Sequence, residues 1–92
     1  MITLKSAHEI ELMRLAGKIT AAARAVARDM VKPGVTTQQI DKAVHRFITE
    51  QGAIPSFLHY NGYPASVCVS VNDEIIHGIP GKRVLQEGDI VS

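Results

Sequence analysis

The apolar pattern of this 92-residue chain changes its period near Pro55, and that change limits the folds the chain can adopt. Before Pro55, apolar residues recur at every third or fourth position, as they do along one face of a helix. After it, Val67, Val69 and Val71 alternate with smaller or polar residues, which is the period of a strand. The sequence therefore predicts an α+β chain in which helices come first and extended segments follow.

The first helical pattern has both a start signal and a stop signal. Ser6 and Glu9 have the spacing of a capping box, in which each side chain bonds the other residue's backbone amide. The residues that form one apolar stripe beyond it are Leu12, Ala16, Ile19, Ala23, Val26 and Met30. Residues 32–34 (KPG) cannot continue a helix well. We predict a helix over about residues 7–31.

A second helical pattern repeats the same signals. Thr36 and Gln39 again have capping-box spacing, and Gly52 offers a left-handed C-terminal cap. The apolar face between them consists of Ile40, Ala43, Val44, Phe47 and Ile48. We predict a second helix over about residues 37–51.

The C-terminal third is predicted to form β-hairpins with irregular loops. Turn-forming residues at 72–73 and 78–81 separate the strand-prone segments 67–71, 75–76 and 90–91. A strand that begins at Ile90 reaches Ser92 after three residues, whereas strands usually have about five or six. We therefore expect residues 1–92 to be a single partial domain, a fragment or a truncated form.

Composition excludes several classes of function. Lys and Arg total 10 and Asp and Glu total 9, without the clustered basic residues that bind nucleic acid. No apolar stretch approaches the roughly 20 residues of a membrane span, and the N-terminus lacks the pattern of a signal peptide. Cys68 is the only cysteine, so an internal disulfide is impossible. We expect a cytoplasmic protein with neither nucleic acid nor a membrane as partner.

His77 lies in a loop that Gly78 and Pro80 constrain, and such a loop could present an imidazole to a substrate. A histidine that is simply hydrogen-bonded within a loop is the commoner situation, and the residues alone do not decide between the two. Glu74 and His77 also have the spacing of two metal ligands on a helix. The neighbouring turn and strand-prone residues argue against a helix here, and residues three apart on a strand face opposite sides.

Cys68, Tyr60 and Tyr63 each have a functional and a structural interpretation. Cys68 would be a nucleophile only beside a base, and no such pairing is evident, so a strand residue is the favoured interpretation. The two tyrosines flank the Asn61-Gly62 turn, where they would form either the wall of a shallow apolar pocket or a cover for the edge of the core.

Several segments together resemble type I methionine aminopeptidases in sequence, order and spacing. They are residues 32–37 (KPGVTT), 55–57 (PSF), 60–68 (YNGYPASVC), 69–81 (VSVNDEIIHGIPG) and 87–92 (EGDIVS). The resemblance covers essentially the whole chain and corresponds to the N-terminal part of those enzymes. It departs at Asn61, where some members have histidine, and at Phe57, where some have cysteine.

The resemblance implies a fold and a reaction. The family has the pita-bread fold, so this chain would be its N-terminal half, truncated, with two helices packed on an antiparallel sheet. These enzymes remove the initiator methionine from nascent proteins with two divalent metal ions (Mn, Fe, Co or Zn), bound by two Asp, one His and two Glu. By that pattern the first ligand falls two residues beyond Ser92. We expect no metal ligand and no bound metal in this chain, which alone would be inactive.

The resemblance also assigns site residues on the substrate side. His77 matches the histidine that contacts the substrate amide and the tetrahedral intermediate, and is thus the expected catalytic residue as well as a substrate-binding one. The positions that match the methionine pocket are Phe57, Tyr60, Tyr63 and Cys68.

Two alternatives of other classes remain. One is a non-catalytic module that holds a peptide N-terminus in the tyrosine-lined pocket. The other is a structural half-domain that self-associates through an open sheet edge, because unpaired backbone groups invite pairing. The natural partner would otherwise be the rest of the enzyme.

Overall fold

The computed structural model describes residues 2–56, 58–74 and 76–92, without the side chain of Asn61. Two α-helices come first, α1 at Ala7–Met30 and α2 at Thr37–Glu50, and a short 3-10 turn follows at Tyr60–Gly62. Helices α1 and α2 pack against each other. The remaining described residues form turns and extended segments that lie against the helices.

Both capping boxes predicted from the sequence are confirmed. Ser6 Oγ accepts a hydrogen bond from the Glu9 amide, and a Glu9 carboxylate oxygen accepts one from the Ser6 amide at 2.8 Å. Thr36 and Gln39 make the same reciprocal pair at the start of α2. Each box gives a side-chain acceptor to two backbone amides at the start of its helix.

The helix ends also follow the sequence signals. Helix α1 stops at Met30, and the Val31 amide bonds the Arg28 carbonyl just before residues 32–34. After α2, Gly52 takes the left-handed conformation at φ +76. Both ends fall within one residue of their predicted positions.

The core is small and lies where α2 meets the C-terminal segments. Its buried residues are Ile40, Val69, Val71 and Leu85, each no more than 6% exposed. Met30 and Ala27 of α1 pack against this cluster from the side. Only the C-terminal end of α1 therefore contributes to the core, and the apolar stripe nearer its N-terminus stays exposed.

The antiparallel sheet predicted from the sequence is not confirmed. In the described part of the chain, antiparallel pairing is limited to two isolated bridges, Thr36 with Val84 and Val71 with Val91. Asn72 has φ +53, so the extended run that contains Val71 ends immediately after it. The alternating period had predicted a strand, but a strand forms only when a partner segment runs beside it for several residues.

Interlocking hydrogen bonds replace the sheet in joining the parts of the chain. The Thr37 hydroxyl exchanges two bonds with the backbone of Gly81, and the Leu85 amide donates to the Val35 carbonyl at 2.8 Å. The start of α2 is thereby attached to the C-terminal loops. Among the described residues, no helix has the length and apolar character to cross a membrane.

Candidate functional site

His77 is held in an uncommon backbone conformation with its side chain exposed. Its φ is +60, a left-handed value that residues with a side chain adopt at some cost. The next residue, Gly78, is buried. A Cβ at Gly78 would lie 2.8 Å from the Val69 carbonyl carbon and closer still to its oxygen. Only glycine fits where these two backbone segments meet.

Three hydrogen bonds fix the Gly78 peptide groups. The Gly78 amide donates to the Ser70 hydroxyl oxygen at 3.1 Å. The Gly78 carbonyl accepts the Val69 amide at 2.8 Å and the Tyr63 hydroxyl at 3.2 Å. Both lone pairs of the carbonyl are therefore used, and so is the amide. The backbone directly after His77 is therefore held by hydrogen bonds, while the imidazole itself is exposed.

The Tyr63 hydroxyl joins this loop to the preceding segment. It is shared between the Gly78 carbonyl and the Val67 carbonyl, which lies at 2.9 Å. Burial raises the pKa of Tyr63 above its ordinary value of 10.0, and a hydrogen bond with Cys68 and the nearby charges of Cys68 and Asp41 act in the same direction. The hydroxyl thus stays protonated and can donate.

The structure brings together some of the residues proposed from the sequence. Tyr63 contacts Cys68, and its hydroxyl donates to the carbonyl of Gly78, the residue after His77. Tyr63 thus lies between Cys68 and the backbone that follows His77. Cys68 is half-buried, in keeping with a residue on an extended segment. Tyr60 lies on the 3-10 turn with 67% of its surface exposed. Phe57 lies outside the described residues.

A second cluster, which the sequence interpretation missed, connects α2 to the same segment. Asp41 Oδ1 accepts the backbone amides of Ser66 at 2.7 Å and Val67 at 3.0 Å. His45 Nδ1 lies 2.8 Å from the hydroxyl oxygen of Ser66, which is 5% exposed. His45 therefore links α2 to this segment. No local sequence signal marks these contacts, because Asp41 lies 25 positions and His45 lies 21 positions before Ser66.

The acidic side chains near this region do not fit a metal site. Glu74 accepts the Val71 amide and pairs with Arg83 at 3.3 Å, so it does not join His77 as a ligand. Asp89 accepts the Gln86 amide and the Asn72 side chain. Within the described ranges, no three His, Cys, Asp or Glu side chains are grouped to hold an ion.

An open apolar groove of about 1010 Å³ lies between α1, α2 and the segments that follow them. Leu12, Leu15 and Ile19 line it from α1, and Ile48 lines it from α2. Cys68 is the proposed site residue that reaches its wall. Leu12 and Leu15 are more than half exposed, so the N-terminal part of α1 lines this groove without a cover within the described chain.

Comparison with known proteins gives a consistent family. The model of metallopeptidase family M24 matches residues 11–92. Methionine aminopeptidase 1 of Bacillus subtilis is 51% identical over the whole chain, which covers 37% of that protein. The chloroplastic/mitochondrial methionine aminopeptidase 1D of Arabidopsis thaliana is 55% identical over 90% of the chain, which corresponds to 24% of its own length.

Solved structures agree with these matches. The methionine aminopeptidase of Thermotoga maritima superposes with a TM-score of 0.95 and 41% identity, and that of Rickettsia prowazekii with 0.94 and 43%. Each comparison covers 99% of this chain and 37% of the other. The chain thus spans 24% to 37% of the length of these relatives. Its two helices and irregular loops are arranged as in pita-bread enzymes. It belongs to metallopeptidase family M24, and its resemblance to methionine aminopeptidases is confirmed.

Proposed function

We propose that this chain supplies the substrate side of a metal-dependent aminopeptidase that removes the initiator methionine from nascent proteins. The observation that carries the proposal is the His77 loop. Its exposed imidazole is followed directly by Gly78, whose amide bonds Ser70 and whose carbonyl bonds Val69 and Tyr63. A backbone fixed at this point suits a side chain that must meet a developing charge at a set position. Family membership supports the reaction class.

The proposed role of His77 is to contact the substrate amide and the tetrahedral intermediate. An imidazole N–H directed at the oxygen that gains charge would stabilise the transition state more than the ground state. Phe57, Tyr60, Tyr63 and Cys68 are proposed to surround the methionine side chain. Tyr63 and Cys68 already contact each other beside the His77 loop, which supports a common pocket for these two.

The metal ions of the intact enzyme are proposed to be bound by residues outside this chain. Divalent ions such as Mn, Fe, Co or Zn lower the pKa of bound water and polarise carbonyls. Asp41, Glu74 and Asp89 are already bonded to backbone amides, so none of them is presented as a ligand. The chain spans 37% of its bacterial relatives, and the other 63% leaves ample room for the ligands.

The exposed groove supports the proposal that the rest of the enzyme is the natural partner of this chain. Its α1 wall is apolar and more than half exposed at Leu12 and Leu15, and covering such a surface is favourable. The same groove supports a second candidate, a half-domain that self-associates. Dimerisation that depends on concentration, without peptide binding, would favour that candidate. The cytoplasm is the proposed location, since nascent proteins are the proposed substrate, and cell fractionation tests it.

The test compares two proteins in hydrolysis of a Met-Ala-Ser peptide with added Mn or Co. One is the 92-residue chain, and the other continues the chain with the part of the Bacillus subtilis relative beyond the matched region. This chimaera should cleave the peptide, whereas the short chain should not cleave it with either metal. Metal-dependent cleavage by the short chain would refute the proposal that the ligands lie elsewhere. Peptide binding by the short chain without cleavage would favour the non-catalytic binding module.

A further inference from the structure

We propose that Tyr63 and Ser70 are positioning residues that set the orientation of His77 through the Gly78 peptide. This inference rests on the proposed function of His77 and adds a role for two hydroxyl groups. It changes the interpretation of Tyr63, whose hydroxyl acts on the protein backbone rather than on substrate. Ser70 had no assigned role.

Two hydroxyl groups bond the backbone of Gly78. The Ser70 hydroxyl, on a side chain that is 7% exposed, accepts the Gly78 amide at 3.1 Å. The Tyr63 hydroxyl approaches the carbonyl of the same residue at 3.2 Å. The two hydroxyls therefore hold Gly78 at both its amide and its carbonyl, and that amide belongs to the peptide bond that begins at His77.

The left-handed backbone of His77 depends on these neighbours. A left-handed residue with a side chain is stable only where its surroundings determine its conformation. The close approach of Gly78 to Val69 fixes the position of the loop, and the Ser70 hydroxyl fixes the plane of the His77–Gly78 peptide. Without these bonds the loop can relax toward an ordinary φ, which redirects the imidazole.

Further hydrogen bonds hold the two hydroxyl groups in place. Ser70 exchanges two backbone bonds of 2.8 Å with Ser92, so its side chain starts from a fixed position. Tyr63 is anchored by its second bond, to the Val67 carbonyl at 2.9 Å. Asp41 in turn holds the Val67 amide from α2. A continuous set of bonds thus runs from α2 to the residue beside His77.

The test uses Tyr63→Phe and Ser70→Ala, with Thr20→Ala as the matched control. Thr20 is exposed, and its hydroxyl bonds only the Ala16 carbonyl of its own helix, so the control also loses one hydroxyl and one hydrogen bond. In the 92-residue chain, NMR measures exchange of the Gly78 amide and the His77 HN–Hα coupling, which reports φ. In the chimaera, peptide hydrolysis gives kcat and KM separately.

Both variants should speed Gly78 amide exchange by about tenfold and change the His77 coupling, while signals of α1 and α2 stay in place. In the chimaera both should lower kcat by about tenfold and leave KM within about twofold. A raised KM at unchanged kcat for Tyr63→Phe would make its hydroxyl a substrate contact and overturn the proposal. Unchanged exchange and coupling in both variants would overturn it equally.

The two arms separate this proposal from the proposed function. An inactive parent chimaera refutes the function, and the NMR arm still decides whether the hydroxyls fix His77. An active chimaera whose kcat survives both substitutions keeps the function and refutes the positioning role. If Tyr63→Phe, which loses the bonds to both Val67 and Gly78, fails to fold, Ser70→Ala decides alone, because it removes the bond to the Gly78 amide.

Discussion

Asp41 on α2 accepts the backbone amide of Ser66 at 2.7 Å, which joins residues 25 positions apart in the sequence. The same oxygen takes the Val67 amide, so one carboxylate supports the segment that leads to Cys68. Hydrogen bonds to a charged acceptor contribute more than neutral ones. This link between helix and loop is central to how the site is held.

Replacing Asp41 with alanine should therefore destabilise the chain. Two partly buried amides lose their acceptor, and we expect a loss of about 2–4 kcal/mol in the free energy of unfolding. Urea denaturation measures it. Asp29→Ala is the control, because Asp29 is exposed and pairs only with exposed Arg28. Equal effects of the two substitutions would show that the Asp41 bonds are not important for stability.

Gly78→Ala tests the close approach of two backbone segments. The new Cβ would overlap the Val69 carbonyl, and backbone cannot move aside as a flexible side chain can. We expect a loss of about 1–3 kcal/mol in the free energy of unfolding. Gly81→Ala is the matched control, since a Cβ there meets open space. Thermal unfolding of both variants checks this, and an unaffected Gly78→Ala protein would contradict the described contact.

The turn at Asp89 should make stability depend on pH in the acid range. The Gln86 amide, and then the Asn72 side chain, donate to its carboxylate and hold the pKa of Asp89 below its ordinary value of 3.8. Because the folded pKa is lowered, the stabilisation is present above that value and is lost as pH falls below it. In thermal unfolding, the midpoint temperature should fall between pH 6 and pH 3 in the parent chain, and Asp89→Asn should make that fall smaller. Asp73→Asn, at an exposed turn position, should leave that fall intact.

Tyr63 should produce the opposite dependence, at alkaline pH. Burial, with help from Cys68 and Asp41, raises the pKa of Tyr63 above 10.0, so the fold favours the neutral hydroxyl. Its stabilisation is fully present below pH 10 and is lost as pH rises beyond it, because the unfolded chain ionises first. In thermal unfolding, the midpoint temperature of the parent chain should fall from pH 8 to pH 10 and pH 11. For Tyr63→Phe it should fall less. Identical curves would show that the Tyr63 hydroxyl is not shielded and hydrogen-bonded as described.

The helices could be predicted from sequence because their signals are local. Ser6 with Glu9, and Thr36 with Gln39, specify each start within four residues. The sheet could not be predicted equally well. The alternation of Val67, Val69 and Val71 indicates extended backbone but carries no information about whether a partner segment runs beside it.

The candidate site was predictable only in part. His77 and Gly78 stood out as a constrained loop, and the resemblance to methionine aminopeptidases singled out Tyr63 and Cys68. The supporting groups were not found, because Ser70 looks like any polar residue of an alternating segment until Gly78 is placed against it. Contacts between residues far apart in sequence carry no local signal.

The most direct test of the account compares two histidines in the active chimaera. His59 and His77 are both exposed, with φ of +64 and +60, so replacing either with alanine imposes a similar backbone cost. We predict that His77→Ala lowers kcat for a Met-Ala-Ser peptide by about 100-fold or more, while His59→Ala retains most of the activity. Equal activity of the two variants would contradict the claim that this chain supplies the catalytic histidine.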